Sequence, residues 1–113
     1  MLSKQKLLIS QPEPAPINSG KIVPDLLIEE LGKAEHIDNR VIRSTINLIK
    51  SRDNFGRQKY GQPLMTNDGR SSIEDSKQEI GDLLQYVYKA RLNNEDVSEI
   101  RKMVPVLNYI LRC

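Results

Sequence analysis

Three carboxylates, at Asp75, Glu79 and Asp82, are spaced so that they project from one side of a helix. At about 100° per residue, steps of four and then three residues keep them within roughly 60° of one another. Carboxylates this close repel each other, and a hard divalent cation such as Mg²⁺ removes the repulsion. The spacing predicts a metal site. The alternative is a solvated acidic face, which the dipole near a helix N-terminus favours for Asp75 but not for Asp82.

A basic stretch with several turn-forming residues leads into this acidic helix. Glycine lets the backbone approach a ligand closely, and arginine suits bidentate contacts with phosphate. We expect a loop over residues 52–70 that binds phosphates and delivers the chain to a helix N-terminus, itself a natural anion site. The candidate substrate-binding residues of this stretch are Arg57, Lys59, Tyr60, Asn67 and Arg70. Asn67 also suits a simple turn.

Four helices are predicted to position these residues. The first begins at Pro24, which suits a first helical position, and ends near His36. The second is capped by Asp38 or Asn39 and carries an apolar stripe at Ile42, Ile46 and Ile49. Its many β-branched residues leave a strand as an alternative, and the helical period favours the helix.

The third helix begins at a capping box, Ser71 to Glu74, and ends at Asn93. The fourth begins near a second such box, Asp96 to Glu99, and Pro105 is expected to kink or split it. Both have an apolar side. For the third helix it comprises Ile73, Ile80, Leu83, Leu84 and Val87, and for the fourth Val97, Ile100, Val104, Leu107 and Leu111.

Length and composition suit one small, all-α domain. The chain has 113 residues, 38% of them hydrophobic and 28% charged, with a net charge of +2. We divide it into an extended, proline-rich N-terminal arm over residues 1–23 and a single helical domain over residues 24–113. The core of such a chain is limited, so an oligomer that buries more surface is expected.

Several classes of function are disfavoured by the composition. One Phe and no Trp argue against a base-stacking nucleic-acid platform, so no direct nucleic-acid binding is expected. No apolar run is long enough for a membrane span or a signal peptide. The one cysteine, Cys113, cannot form an intramolecular disulfide, which fits a reducing compartment. We expect a soluble, cytoplasmic protein.

Two strings of the sequence resemble a known family. Lys59-Tyr-Gly-x-Pro-Leu64 followed by Asn67-Asp-Gly-Arg70 leads into Asp75-x-x-x-Glu79-x-x-Asp82. Together they are similar to small, often phage-encoded members of the MazG-like all-α nucleoside triphosphate pyrophosphohydrolases. The resemblance covers residues 52–92 well and the remainder loosely.

The resemblance implies a four-helix bundle that forms dimers or tetramers and cleaves nucleoside triphosphates between the α and β phosphates with Mg²⁺. Glu79 and Asp82 would be metal ligands. Asp75 would be a third ligand or would orient the attacking water, which makes Asp75 and Glu79 the catalytic candidates.

The family also has an earlier Glu-Glu-x-x-Glu helix with further metal ligands. Here the nearest string has Glu29 and Glu30, with Lys33 in the position of the third Glu. Glu30 is therefore a candidate ligand from the first helix. If it does not reach the metal, a nucleotide-binding module without hydrolysis, or a module that binds a host factor, is the alternative.

Overall fold

The structure is a computed structural model that describes Gln11 and residues 20–113. This part of the chain contains four helices and no strand. They are α1 (Val23–Leu31), α2 (Asn39–Tyr60), α3 (Ser72–Leu92) and α4 (Ser98–Arg112). The predicted all-α class and the number of helices are confirmed. The predicted extended arm lies outside the described residues, apart from Gln11 and residues 20–23.

The starts of α2 and α3 follow their local side-chain caps. Asp38 accepts a hydrogen bond from the backbone N–H of Arg40 at 2.8 Å and begins α2, so the strand alternative is wrong. Ser71 accepts one from the backbone N–H of Glu74 at 3.1 Å and begins α3, as predicted. These bonds satisfy backbone donors that a first helical turn leaves unpaired.

Helix α1 is shorter than predicted and α2 is longer. α1 ends at Leu31 rather than near His36, because Gly32 and Lys33 form a turn. The expected loop over residues 52–70 is wrong in its first half, since α2 continues to Tyr60. The connecting loop is residues 61–71.

Local contacts explain why α2 does not break at Gly56. A glycine inside a helix costs only about 1 kcal/mol relative to alanine. Arg57 binds Asp53 one turn earlier, its Nε lying 2.9 Å from each carboxylate oxygen. The helix ends where Gly61 adopts a left-handed conformation with φ of 75°, the usual role of a glycine after a helix.

The core joins α1, α2 and α4. Leu31, Ile42 and Val106 form the buried cluster, one residue from each helix, and Leu31 is only 1% exposed. The closely packed helix pairs are α1 with α2 and α2 with α4. Helix α3 contributes no buried residue.

Helix α4 is not split at its proline. It runs from Ser98 to Arg112 with Pro105 inside it. Pro105 and Arg101, whose carbonyl loses its helical partner, are both exposed to water, which lowers the cost of the missing hydrogen bond. The predicted second capping box does not form: Asp96 instead accepts a bond from the backbone N–H of Ser98 at 2.9 Å.

The loop between α2 and α3 is attached to the residues just before α1. The backbone N–H of Val23 donates to Leu64 O, and that of Thr66 donates to Lys21 O, both at 2.9 Å. This short antiparallel bridge fixes the loop that leads into α3. None of the described helices combines the length and the apolarity needed to cross a membrane.

We expect Gly20→Ala to lower the free energy of unfolding by about 1–3 kcal/mol, measured by urea denaturation. Gly20 has a φ of 100°, and an added Cβ would clash with the Thr66 carbonyl oxygen and lie 2.9 Å from its Oγ1. The matched control is Gly56→Ala, where nothing lies within 4 Å of the new Cβ. It should stabilise α2 by about 1 kcal/mol. Equal effects at both positions would contradict the prediction.

Candidate functional site

The acidic side of α3 faces its own chain. Asp75 and Asp82 are half-buried and Glu79 is exposed. Asp75 lies in the first turn of the helix, directly after the loop. The side of α3 that carries Asp75 and Asp82 is therefore partly covered by the chain, whereas Glu79 is open to solvent.

Arg70, at the end of the loop, binds Asp75 through two hydrogen bonds. Its Nη2 lies 2.8 Å from Oδ1 and its Nε lies 3.1 Å from Oδ2. The bond to Asp75 raises the pKa of Arg70 above its ordinary value, with smaller contributions from nearby Tyr60 and Asp68. Arg70, which was predicted to bind phosphate, and Asp75, which was predicted to bind metal, are thus paired with each other.

Gln11 also binds at this point, which the sequence did not suggest. Its Nε2 donates to Asp75 Oδ1 at 2.6 Å, and its Oε1 accepts from the backbone N–H of Ser71 at 2.6 Å. The two segments are 60 residues or more apart, so no local pattern announces the contact. Arg70 binds both carboxylate oxygens of Asp75, and Gln11 binds one of them. The hydrogen-bonding capacity of this carboxylate is therefore largely used by contacts within the chain.

A cage of protein carboxylates is not present in the part of the chain that the structure describes. No group of three or more His, Cys, Asp or Glu side chains lies close enough there to hold a metal ion. Of the three α3 carboxylates, Glu79 and Asp82 remain as a neighbouring pair, three residues apart on the helix. Mg²⁺ is commonly bound by one or two carboxylates together with substrate phosphates. This pair fits that mode and does not fit an all-protein site.

The last turns of α2 carry the other cations. Arg57 is held by Asp53 at 2.9 Å, with Asp25 at 3.9 Å, and the bond to Asp53 raises the pKa of Arg57. Lys59 is exposed, with its Nζ 5.2 Å from the centre of the Tyr60 ring. The pairing of Arg57 with Asp53 could have been predicted from their spacing of four residues.

Asn67 and Asp68 shape the loop. Asn67 is exposed and has a φ of 59°, a conformation that asparagine tolerates in turns. Asp68 is only 8% exposed and accepts a hydrogen bond from the backbone N–H of Arg70 at 3.1 Å. The turn directs Arg70 toward α3, and the conformation of Asn67 agrees with the turn that the sequence offered as an alternative.

Glu30 lies at the contact between α1 and α4. Tyr109 Oη donates to Glu30 Oε2 at 2.8 Å. This bond raises the pKa of Tyr109 to about 12. The structure therefore brings Glu30 to Tyr109, and Arg70 to Asp75. The metal, catalytic and substrate roles of all these residues stay predictions.

The bond between Tyr109 and Glu30 predicts a specific pH dependence. The pKa of Tyr109 is raised from 10.0 to about 12 in the folded chain. The contribution of this bond to the free energy of unfolding is therefore fully present below pH 10 and is lost as the pH rises toward about 12. We expect Tyr109→Phe to reduce stability at neutral pH and to match the wild type near pH 12. Urea midpoints measured across this range test it.

The matched control is Tyr88→Phe, at a position that is 65% exposed. A Tyr109→Phe variant that stays equally destabilised across the whole alkaline range would contradict the assignment of the bond.

In comparisons with known proteins, no family model matches the chain, and no curated protein and no solved structure shows significant similarity to it.

Proposed function

We propose that this protein is a Mg²⁺-dependent nucleoside triphosphate pyrophosphohydrolase of the MazG-like type, acting on (d)NTPs as a homo-oligomer in the cytoplasm. The observation that carries the proposal is the pairing of Arg70 with Asp75 at the start of α3, the helix whose same side continues with Glu79 and Asp82. Basic and acidic groups thus lie side by side. A phosphate that is bound partly by cationic side chains and partly through a metal ion needs both kinds of group.

The proposed reaction adds water to a nucleoside triphosphate. The water oxygen forms a bond to the α phosphorus while the bond from that phosphorus to the α–β bridging oxygen breaks. The electron pair stays with the bridging oxygen, which leaves as part of pyrophosphate. A carboxylate of α3 or solvent takes the proton from the water, and the other product is the nucleoside monophosphate.

Glu79 and Asp82 would hold Mg²⁺ jointly with the phosphates. Bound there, the ion supplies charge neutralisation and lowers the pKa of a coordinated water. Lys59 and Arg70 stabilise negative charge on the leaving pyrophosphate, and Arg70 does so by exchanging its bond to Asp75 for a phosphate. Tyr60, exposed at the end of α2, offers a ring for stacking on the base.

The direct test is incubation of the full chain with each NTP and dNTP in the presence of Mg²⁺. We expect pyrophosphate and nucleoside monophosphate in equal amounts, and no product when EDTA removes the metal. Release of single phosphates, or no release above a heat-denatured sample, would refute the proposal.

The second candidate is a nucleotide-binding or host-factor-binding module without turnover, of the kind that viruses encode. The observation that favours it is the occupation of Asp75 by Arg70 and Gln11, which leaves fewer carboxylates for metal. Calorimetry distinguishes the two. Tight nucleotide binding in EDTA with no pyrophosphate release supports the module, and Mg²⁺-dependent binding with turnover supports the hydrolase.

A further inference from the structure

The outward side of α2 carries a row of uncharged polar side chains along most of its length. Steps of three and four residues keep the row within about 80° around the helix. We call this row the α2 polar ridge, formed by Ser44, Asn47, Ser51, Asn54 and Gln58. All five side chains are exposed. From its first to its last residue the ridge is about 21 Å long.

Cationic side chains flank the ridge on both sides. Arg43 and Lys50, seven residues apart, lie on one flank. Arg52 and Lys59, with the same spacing, lie on the other flank, and all four are exposed. Arg52 also lies over the exposed ring of Phe55, its Cζ 4.6 Å from the ring centre. Each flank is therefore roughly 90° around the helix from the centre of the ridge.

The positive charge of the chain is concentrated on this helix. α2 has six cationic side chains and one carboxylate, whereas the whole chain has a net charge of +2. Its carboxylate, Asp53, is bound by Arg57 at 2.9 Å and lies about 140° from the ridge. Asp38, just before the helix, is bound by Arg40 at 3.0 Å. The flanks thus lack the alternation of acid and base that usually stabilises a solvated helix, and a polyanion fits them better.

We infer that α2 binds double-stranded DNA, with the polar ridge in the major groove and the two flanks on the phosphates of the two strands. The major groove of B-form DNA is about 12 Å wide and admits an α-helix. Its two edges are lined by phosphates, and its floor presents base edges that accept and donate hydrogen bonds. Two cationic flanks on opposite sides of an uncharged polar row match this arrangement of charge.

The amide groups of the ridge suit contacts with bases. Asparagine forms paired hydrogen bonds with adenine in the major groove. Asn47 and Asn54 are separated by about 10.5 Å along the helix, close to three base-pair steps of about 3.4 Å. The scarcity of aromatic residues argued against a base-stacking platform, but a helix in the major groove stacks on no base. The expectation of no nucleic-acid binding therefore does not extend to this side of α2.

The shape of the ligand distinguishes DNA from other polyanions. Double-stranded RNA has a deep, narrow major groove that side chains do not read. A single strand or an acidic peptide presents one line of negative charge, which reaches one flank of α2. A DNA duplex presents two such lines, one on each side of the helix.

The test uses the full chain and a fluorescein-labelled DNA duplex of about 20 base pairs, followed by fluorescence anisotropy. EDTA is present and nucleoside triphosphates are absent, so the result does not depend on the hydrolase proposal. We expect a Kd on the order of 1 μM in about 50 mM salt. Contact of four cations with phosphates predicts that log K falls against log salt with a slope of about −3.6. Absence of binding at tens of micromolar protein would overturn the inference.

The double variant Arg43→Gln, Lys50→Gln removes one flank. It should weaken binding at least about 20-fold and reduce the slope to about −1.8. The matched control is Lys89→Gln, Arg91→Gln on α3, which lowers the net charge equally and should bind within about 2-fold of the wild type. Equal losses in the two double variants would show that net charge, and not α2, drives binding. Lys59 is left unchanged throughout, because it also belongs to the proposed nucleotide site.

Asn47→Glu tests the ridge itself. The added carboxylate lies three or four residues from Arg43 and Lys50, so it should stabilise the helix, which circular dichroism checks. Within the groove it would face the bases and phosphates, and binding should fall at least about 10-fold. Gln85→Glu adds the same charge to α3 and should leave binding unchanged. A folded Asn47→Glu variant with wild-type affinity would refute the placement of the ridge in the groove.

Unlabelled competitors identify the class of ligand. We expect the DNA duplex to displace the labelled probe at a concentration at least about 10-fold lower than duplex RNA, single-stranded DNA or polyglutamate. Equal competition by polyglutamate would assign α2 to an acidic protein partner, and equal competition by either other nucleic acid would refute the major-groove arrangement. A chain that binds DNA in EDTA but releases no pyrophosphate with Mg²⁺ would refute only the hydrolase.

Discussion

Glu79→Gln and Asp82→Asn are each expected to reduce pyrophosphate release about 100-fold or more. Both substitutions keep the size of the side chain and remove its negative charge. If these two residues hold Mg²⁺ with the nucleotide phosphates, loss of either charge weakens the metal and removes stabilisation of the reacting phosphate. The rate should recover in part at high Mg²⁺ concentration, which separates a metal ligand from a residue that only maintains the fold.

Glu74→Gln is the matched control on the same helix. Glu74 lies in the first turn of α3, about 100° around the helix from Asp75, and pairs with Lys77 at 3.5 Å. Its loss should leave turnover within a few-fold of the wild type. If Glu79→Gln and Asp82→Asn both retain wild-type rates while the parent enzyme is active, the metal assignment to α3 is wrong.

Leu31→Ala is expected to lower the free energy of unfolding by about 2–5 kcal/mol. Leu31 is 1% exposed and connects Ile42 of α2 with Val106 of α4. The substitution leaves a cavity where α1, α2 and α4 meet. A core this small has few other contacts to compensate. Urea denaturation followed by circular dichroism measures the change.

Leu26→Ala is the control, because Leu26 is 46% exposed on the same helix. It should cost less than half as much, since its side chain already contacts water. Both variants are measured at the same protein concentration, because any association of the folded state would add to the apparent stability. Equal losses at the two positions would show that the core does not depend on Leu31.

The candidate site depends on that core indirectly. α2 delivers Lys59 and Tyr60 to the loop, and the bridge between residues 21–23 and 64–66 holds the loop in place. α3 itself has no buried residue and packs closely against none of the other described helices. The bonds of Arg70 and Gln11 to Asp75 therefore help to hold the start of α3 against the loop.

The sequence by itself determined the features that arise within one turn of chain. Asp38 and Ser71 begin α2 and α3 because each side chain reaches a backbone N–H only two or three residues away. The apolar period of α3 identified the helix and its stripe, and the spacing of Asp75, Glu79 and Asp82 placed them on the opposite side. The predicted break at Gly56 does not occur, because a single glycine lowers helix stability only slightly and Arg57 binds Asp53 across that turn.

Only the tertiary structure decided which surfaces meet. Gln11 binds Asp75, and Glu30 binds Tyr109 over 79 residues, without any local signal. In α4 the core residue is Val106, while the predicted stripe through Leu107 is exposed, because the helix has apolar residues on two sides. The helical period shows where apolar side chains lie and does not show what covers them. The acidic side of α3 is the clearest example. The spacing in the sequence places Asp75, Glu79 and Asp82 on one side of the helix, and only the fold shows that Asp75 is bound by Arg70.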